Sequence, residues 1–132
     1  REEDQAFREH VALRALVRLA AVFVRGERLP HVPDLAEEIG VPERSLEQVL
    51  MTLAHAGLMS RVEGKGRVYT FTQSPETVRV KSVLDALSGR TSSGHLEAQA
   101  PLDARLEGLL DALNQEQFES VHNKSIRELA VH

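Results

Sequence analysis

Five polar residues at the start of a predicted helix carry side chains suited to hydrogen bonding with the edges of nucleic-acid bases: Glu43, Arg44, Ser45, Glu47 and Gln48. In a major groove, arginine suits guanine, glutamine suits adenine, and glutamate accepts from the amino group of cytosine. Two cations, Lys65 and Arg67, follow in a glycine-containing turn, where they would meet phosphate or the minor groove. The alternative is an ordinary solvated helix face followed by a solubilising turn.

The overall charge does not supply the basic footprint that is typical of a DNA-binding protein. The 132-residue chain has a net charge of −4. Residues 1–72 hold 10 basic and 11 acidic residues, and the remainder holds 6 and 9. A DNA-binding face must therefore come from local clustering of charge.

Several classes of function are disfavoured by what the sequence lacks. The chain has no cysteine, which removes disulfides, zinc ribbons, thiol catalysis and thiolate-held iron–sulfur clusters. Its six histidines are scattered, and 64–66 (Gly-Lys-Gly) is too short for a phosphate-binding loop, so we expect no enzyme, no catalytic residues and no metal site. No apolar run would span a membrane and the first residues lack a secretory pattern, so we expect a cytoplasmic protein.

The apolar spacing predicts three helices in the first half of the chain. A long helix runs from Asp4 to Arg25, a short one from Leu35 to Ile39, and a third to about Ala56. Gly40 ends the second helix, and the third carries Leu46, Val49, Leu50 and Leu53 on one face. Two short helices joined by a glycine-containing turn are the signature of a helix-turn-helix.

A β-hairpin, or wing, is predicted directly after this motif. The strand-like runs 58–63 and 67–72 flank the turn 64–66. The side chains expected to cover the helices are Leu58, Val62, Val68 and Phe71. The fold class is therefore mainly α with a small β-hairpin, a winged helix-turn-helix domain spanning residues 1–88.

The C-terminal part is predicted to be a polar loop and a long helix. A helix from about Val78 to Leu87 closes the first domain, and residues 89–100 are small and polar. Pro101 opens the last helix, within a region 101–132 that we assign to dimerization and a tail. Its apolar stripe consists of Leu102, Leu106, Leu109, Leu110 and Leu113. Pairing with the same helix of a second chain would bury this stripe, and packing on the chain's own first helix is the alternative.

With these elements in place, the sequence resembles the IscR/NsrR/CymR type of transcriptional regulator, the Rrf2 family. The resemblance is carried by 12–16, 35–37, 40–41, 46–50, 56–58, Gly64, Gly66, Tyr69, 101–102 and 125–129. The combination of Leu46-Glu47-Gln48, Ala56-Gly57-Leu58 and the spaced Gly64, Gly66 and Tyr69 is its most specific part.

The resemblance implies a DNA-binding regulator, a repressor, that acts as a homodimer on a palindromic operator of double-stranded DNA. The start of the third helix matches positions where the family reads bases, and Arg8 is the retained basic residue at the start of the first helix. The sequence departs from the family where Glu63 replaces a wing arginine and 67–68 interrupt a run of glycines.

The largest departure concerns the iron–sulfur cluster. Family members that hold a cluster use three cysteines in the segment that is 89–100 here, and Ala100 falls where the last would lie. His95 and Glu97 cannot replace that ligand set by themselves. We expect no cluster and no other cofactor, with control by a regulatory protein or a small-molecule effector.

One alternative of a different class stays open at this point. A winged helix can serve as a protein-interaction or dimerization module that does not bind DNA. The acidic balance and the altered wing would allow this use.

Overall fold

The fold starts with one long helix, α1 (Glu2–Arg25), in a computed structural model that describes residues 2–89, 101–120 and 122–130. For residues 2, 3 and 101–107 only the backbone is described. The face of α1 that enters the core consists of Val11, Ala12, Ala15, Leu16, Leu19, Ala20 and Val22. Three of these are alanines, which let neighbouring helices approach α1 closely. Three further apolar residues of α1 are exposed: Phe7, Phe23 and Val24.

Two further helices form the helix-turn-helix. They are α2 (Val32–Ile39) and α3 (Glu43–His55). Gly40 ends α2 in the left-handed conformation (φ 70°), where its amide donates to the carbonyls of Ala36 and Glu37. Helix α2 begins three residues earlier than predicted, because Pro33 is accommodated in its first turn, where the missing N–H costs nothing.

The wing is a two-stranded antiparallel hairpin of β1 (Met59–Arg61) and β2 (Tyr69–Phe71). Both strands are shorter than predicted. Beyond the last pair, Arg61 with Tyr69, the Val62 amide still donates to the Val68 carbonyl at 2.8 Å. The Arg67 carbonyl instead accepts from the Val32 amide at 2.9 Å, so the chain leaves the hairpin to cap the start of α2.

The burial of the wing differs in part from the prediction. Val68 and Phe71 are buried as expected, and Leu58 and Val62 are half-buried. Met59 and Tyr69 are also buried. The Phe71 ring meets Phe23 of α1 edge to face, with 6.3 Å between ring centroids.

A 3-10 turn (Pro75–Thr77) and α4 (Val80–Ser88) follow the wing, and then come α5 (Pro101–Glu119) and α6 (Ile126–Ala130). The sequence analysis did not predict α6. A capping box opens it, in which the Glu128 amide donates to Ser125 Oγ at 3.1 Å and the Ser125 amide donates to Glu128 Oε1 at 3.0 Å. The hydrogen bond from the Ser125 amide to the carboxylate, followed by one from the Ser125 side chain, lowers the pKa of Glu128.

Helix α6 brings the end of the chain back to its beginning. It packs against α1 and the 3-10 turn, and Ile126 is fully buried. The segment is also joined to the start of α4, since the Val80 amide donates to the Lys124 carbonyl and the Ile126 amide to the Val78 carbonyl. Residues from α1, α2, α3, the wing, α4 and α6 thus form one hydrophobic core. The predicted winged helix-turn-helix fold is confirmed.

Candidate nucleic-acid interface

The start of α3 presents its polar side chains on the side opposite the core. Leu46, Val49, Leu50 and Leu53 are buried, whereas Arg44 and Gln48 are exposed one turn apart. Ser45 is half-buried beside them. This is the second helix of the helix-turn-helix, the one that enters the major groove in such motifs.

The tip of the wing presents Lys65. This residue is exposed between Gly64 and Gly66, which both have positive φ values (74° and 73°) that favour glycine. The Arg61 side chain spans the turn, since its Nε donates to the Gly66 carbonyl at 3.1 Å. Lys65 is therefore an exposed residue at the end of a tight turn.

Three of the four remaining candidate residues, Glu43, Glu47 and Arg67, interact with one another. Arg67 Nη1 lies 2.7 Å from Glu43 Oε2, and its Nε lies 2.6 Å from Glu47 Oε1. The hydroxyl of Tyr69 donates to Glu47 Oε2 at 2.7 Å. We call these four residues, Glu43, Glu47, Arg67 and Tyr69, the wing clamp, because they join the hairpin to α3.

The wing clamp shifts the acidity of its members. Partial burial opposes ionisation of Glu47, but the hydrogen bonds from Tyr69 and Arg67 outweigh it and lower the pKa of this carboxyl. Burial, and then the hydrogen bond to the Glu47 carboxylate, raise the pKa of Tyr69 to about 12. Because the pKa of Glu47 is lowered in the folded state, the contribution of its charge is complete at neutral pH. That contribution is lost only as the pH falls through the lowered value.

Titration of Tyr69 gives a direct test of the wing clamp, since the chain contains one tyrosine. Ultraviolet absorbance of the phenolate should give a pKa of about 12, and Glu47→Gln should move it toward the ordinary value of 10.0 because the acceptor loses its charge. Glu43→Gln is the matched control, since Glu43 does not contact the phenol, and it should leave the tyrosine close to the wild-type value. A wild-type value near 10.0, with helical circular dichroism intact, would contradict this geometry.

Arg8 is placed at a different part of the surface. Its Nη1 donates to Gln5 Oε1 at 3.1 Å and to the Leu87 carbonyl at the end of α4 at 3.3 Å. Both partners lie outside α3 and the wing. Contact of Arg8, and of the other seven candidates, with DNA stays a prediction.

The proposed dimerization stripe on α5 is exposed in its second half. Leu109, Leu110 and Leu113 keep 57%, 62% and 47% of their surface accessible. The side chains of Leu102 and Leu106 lie outside the described residues. The described leucines therefore do not pack on the chain's own core.

Two residues of α3 and the wing, Met51 and Tyr69, were missed by the sequence analysis as parts of the candidate site. Met51 is exposed three residues after Gln48 and thus extends the exposed side of α3. The sequence feature that could have identified Met51 is an apolar residue that lies outside the buried face of α3. Tyr69 was used for the family resemblance, whereas its contact with Glu47 depends on the hairpin register, which the sequence does not give.

The described residues do not fit an iron–sulfur cluster. Such clusters are held by thiolates, and the chain has no cysteine. Within residues 2–89, 101–120 and 122–130, no three histidine, aspartate or glutamate side chains come together as metal ligands. Three residues that the sequence analysis discussed in the cluster-binding segment lie outside these ranges: His95, Glu97 and Ala100. In the same part of the chain, no helix combines the length and the apolar character needed to cross a membrane.

Comparison with known proteins shows that the chain is similar to transcriptional regulators. The Rrf2 family, described as iron-dependent transcriptional regulators, matches residues 8–131. The chain is 29% identical over 89 residues to the HTH-type transcriptional regulator IscR of Cereibacter sphaeroides, an alignment that covers 67% of this chain and 57% of that protein. It spans little more than half the length of the IscR and Rrf2-like curated relatives that it matches.

Solved structures with the same fold include two CymR proteins. CymR of Staphylococcus aureus superimposes with a TM-score of 0.65 at 23% identity, covering 96% of this chain and 97% of CymR. CymR of B. subtilis, described as its global cysteine regulator, also gives a TM-score of 0.65 at 23% identity, covering 94% and 93%. At this identity the likeness shows a common fold.

Proposed function

Because the chain belongs to the Rrf2 family of transcriptional regulators, we propose that it is a DNA-binding regulator, a repressor that acts in the cytoplasm as a homodimer on a palindromic operator. It has no catalytic role in this proposal. Control comes from a regulatory protein or a small-molecule effector, since the chain has no cysteine to hold a cluster.

The observation that carries the proposal is the pair of exposed side chains, Arg44 and Gln48, on the second helix of a helix-turn-helix. In a major groove, the guanidinium of Arg44 would donate to O6 and N7 of guanine, and the amide of Gln48 would pair with adenine. Ser45, half-buried beside them, can donate or accept one further hydrogen bond.

The remaining candidates act through charge. Lys65 at the wing tip would neutralise a phosphate, and its contribution would be independent of sequence. Glu43 and Glu47 lie on the same helix, where their charges face Arg67 of the wing. The charges of the candidate interface are thus arranged locally, with cations and carboxylates at separate positions. This arrangement supports DNA binding by a chain whose net charge is −4.

Dimerization would place two such interfaces on one face of the DNA. The exposed leucines of α5 support this arrangement, since a two-fold axis through paired α5 helices would bury them. A dimer with this symmetry recognises two inverted half-sites, which is the basis for proposing a palindromic operator.

Two single substitutions that each remove one cation test this proposal. Selection from random duplexes with the purified protein supplies the operator sequence. Arg44→Ala should then lose discrimination at one base position, with a change of about 1–3 kcal/mol between the preferred base and the others. Lys65→Ala should weaken binding to all sequences alike and reduce the slope of log K against log salt by about 1.

The two variants serve as controls for each other, since both change the net charge by the same amount. Fluorescence anisotropy over a range of salt concentrations measures both effects. If the wild-type protein binds no duplex DNA even at low salt, the regulator proposal fails, and a winged helix used for protein interaction replaces it.

A further inference from the structure

The wing clamp places Arg67 between two carboxylates of α3. We propose that Arg67 is a positioning residue, which fixes the wing on α3 and offsets one of the two negative charges of Glu43 and Glu47 while Lys65 contacts phosphate. The inference rests on the proposed function and assigns a different role to Arg67 than the phosphate contact expected from the sequence.

The wing needs such an attachment because its hairpin is short. Only three residue pairs join β1 and β2, and a two-stranded hairpin of this size is marginal in water. Beyond the strands, the turn is supported by the Val62–Val68 backbone hydrogen bond and the Arg61 side chain. Arg67 connects this turn to α3 through its side chain and to α2 through its carbonyl.

The geometry of the guanidinium explains why position 67 holds an arginine. Nη1 meets one glutamate and Nε the other, so a single planar group bridges two residues that are one helical turn apart. The Glu47 carboxylate is fixed from its second oxygen by Tyr69, the residue that pairs with Arg61 at the end of the hairpin. The relative position of wing and α3 is thereby set before DNA arrives.

Charge gives a second reason for Arg67 to stay in the clamp. Glu43, Glu47 and Arg67 together carry one net negative charge, and two negative charges would remain on α3 if Arg67 moved to a phosphate. These charges would then face the DNA backbone without compensation. Lys65 makes no ion pair with any residue that the structure describes, so it is available to the phosphate at no such cost.

A charge swap at constant net charge tests the proposal. Arg67→Glu alone should weaken operator binding by about tenfold or more, because the wing and α3 repel each other. Combining it with Glu43→Arg restores opposite charges across the junction, since the introduced arginine lies between the wing and Glu47. The double variant should return to within about threefold of the wild-type affinity, measured by fluorescence anisotropy on the selected operator.

The matched control combines Lys65→Glu with Glu43→Arg. It has the same net charge as the wild-type protein and as the first double variant, yet it should bind at least as weakly as Lys65→Glu alone. A substitution on α3 cannot restore the lost phosphate contact, and Glu43→Arg also removes the ion pair between Glu43 and Arg67. Equal recovery of both double variants would mean that net charge alone matters, and no recovery of the Arg67 variant would mean that Arg67 contacts DNA. Either result overturns the proposal.

Amide hydrogen exchange without DNA separates this inference from the proposed function. Arg67→Glu should speed exchange at Val62 of the wing, whose amide donates to the Val68 carbonyl, and adding Glu43→Arg should slow it again, whereas Lys65→Glu should leave it unchanged. If wing exchange follows this pattern and the wild-type protein binds no duplex, the proposed function fails while the clamp stands. If Arg67→Glu leaves wing exchange at the wild-type rate, the positioning role is wrong whatever the protein binds.

Discussion

Leu110→Lys is expected to give a folded monomer that binds the selected palindromic operator about 100-fold more weakly than the wild-type protein. Leu110 is the most exposed of the described α5 leucines, at 62%, so a lysine there costs the single chain little. In a dimer the same position would bury a charge against an apolar partner surface, which is strongly unfavourable. Loss of the second half-site removes the gain from bivalent binding, which is commonly about 10²–10⁴-fold.

Sedimentation equilibrium measures the oligomeric state, and anisotropy on full and half operators measures the affinity. Gln115→Lys is the control, because it adds the same charge about 140° further around the helix axis. That variant should remain a dimer with nearly unchanged affinity. If Leu110→Lys still sediments as a dimer, then α5 is not the dimerization helix.

Ile126→Ala is expected to lower the free energy of unfolding by about 2–5 kcal/mol, the range for removing a large aliphatic side chain from a core. Ile126 is fully buried, in a helix that packs on α1, and the shortened side chain would leave a cavity there. Urea unfolding followed by circular dichroism gives the value directly. A loss of this size is a large fraction of the stability of a typical domain.

Arg127→Ala is the control for this substitution. Arg127 is exposed on the same short helix, and its nearest ion-pair contact among the described residues, with Glu76, is long at 3.8 Å. We expect a change within about 0.5 kcal/mol. Equal effects of the two substitutions would show that α6 does not pack on the core through Ile126.

The sequence was sufficient to predict the parts of the fold that depend on local pattern. The apolar spacing of α3, with Leu46, Val49, Leu50 and Leu53, predicted both the helix and the face that it buries. The glycines at 40, 64 and 66 predicted the turns, because only glycine adopts their positive φ values without strain. Short-range rules therefore predicted the winged helix-turn-helix.

The parts that sequence analysis missed depend on contacts between distant residues. Helix α6 is five residues long, too short to show a helical period, and it is stable only because Ile126 reaches α1. Its capping box, Ser125 with Glu128, was present in the sequence but stood beside no apolar run. The terminal helix therefore required the three-dimensional structure.

In the candidate site, too, features with a local pattern were predicted and contacts between distant residues were not. Arg44, Gln48 and Lys65 were predicted as exposed polar residues, and they are exposed. Glu47 and Arg67 were treated as independent contacts, because a pattern along one strand or helix does not reveal that a hairpin brings position 67 beside position 47. Their pairing depends on the register of the wing, which the sequence does not give.

The return of α6 to α1 also constrains how this protein is made. During synthesis, α1 leaves the ribosome long before Ile126 is added, so the surface of α1 that α6 covers stays open at least until Ile126 has been made. Contacts between segments as far apart in sequence as α1 and α6 raise the contact order, which slows folding and prolongs the exposure of apolar surface. A fragment that ends after α4 would leave that surface permanently exposed. Shortened forms of the chain should therefore retain residues 122–130.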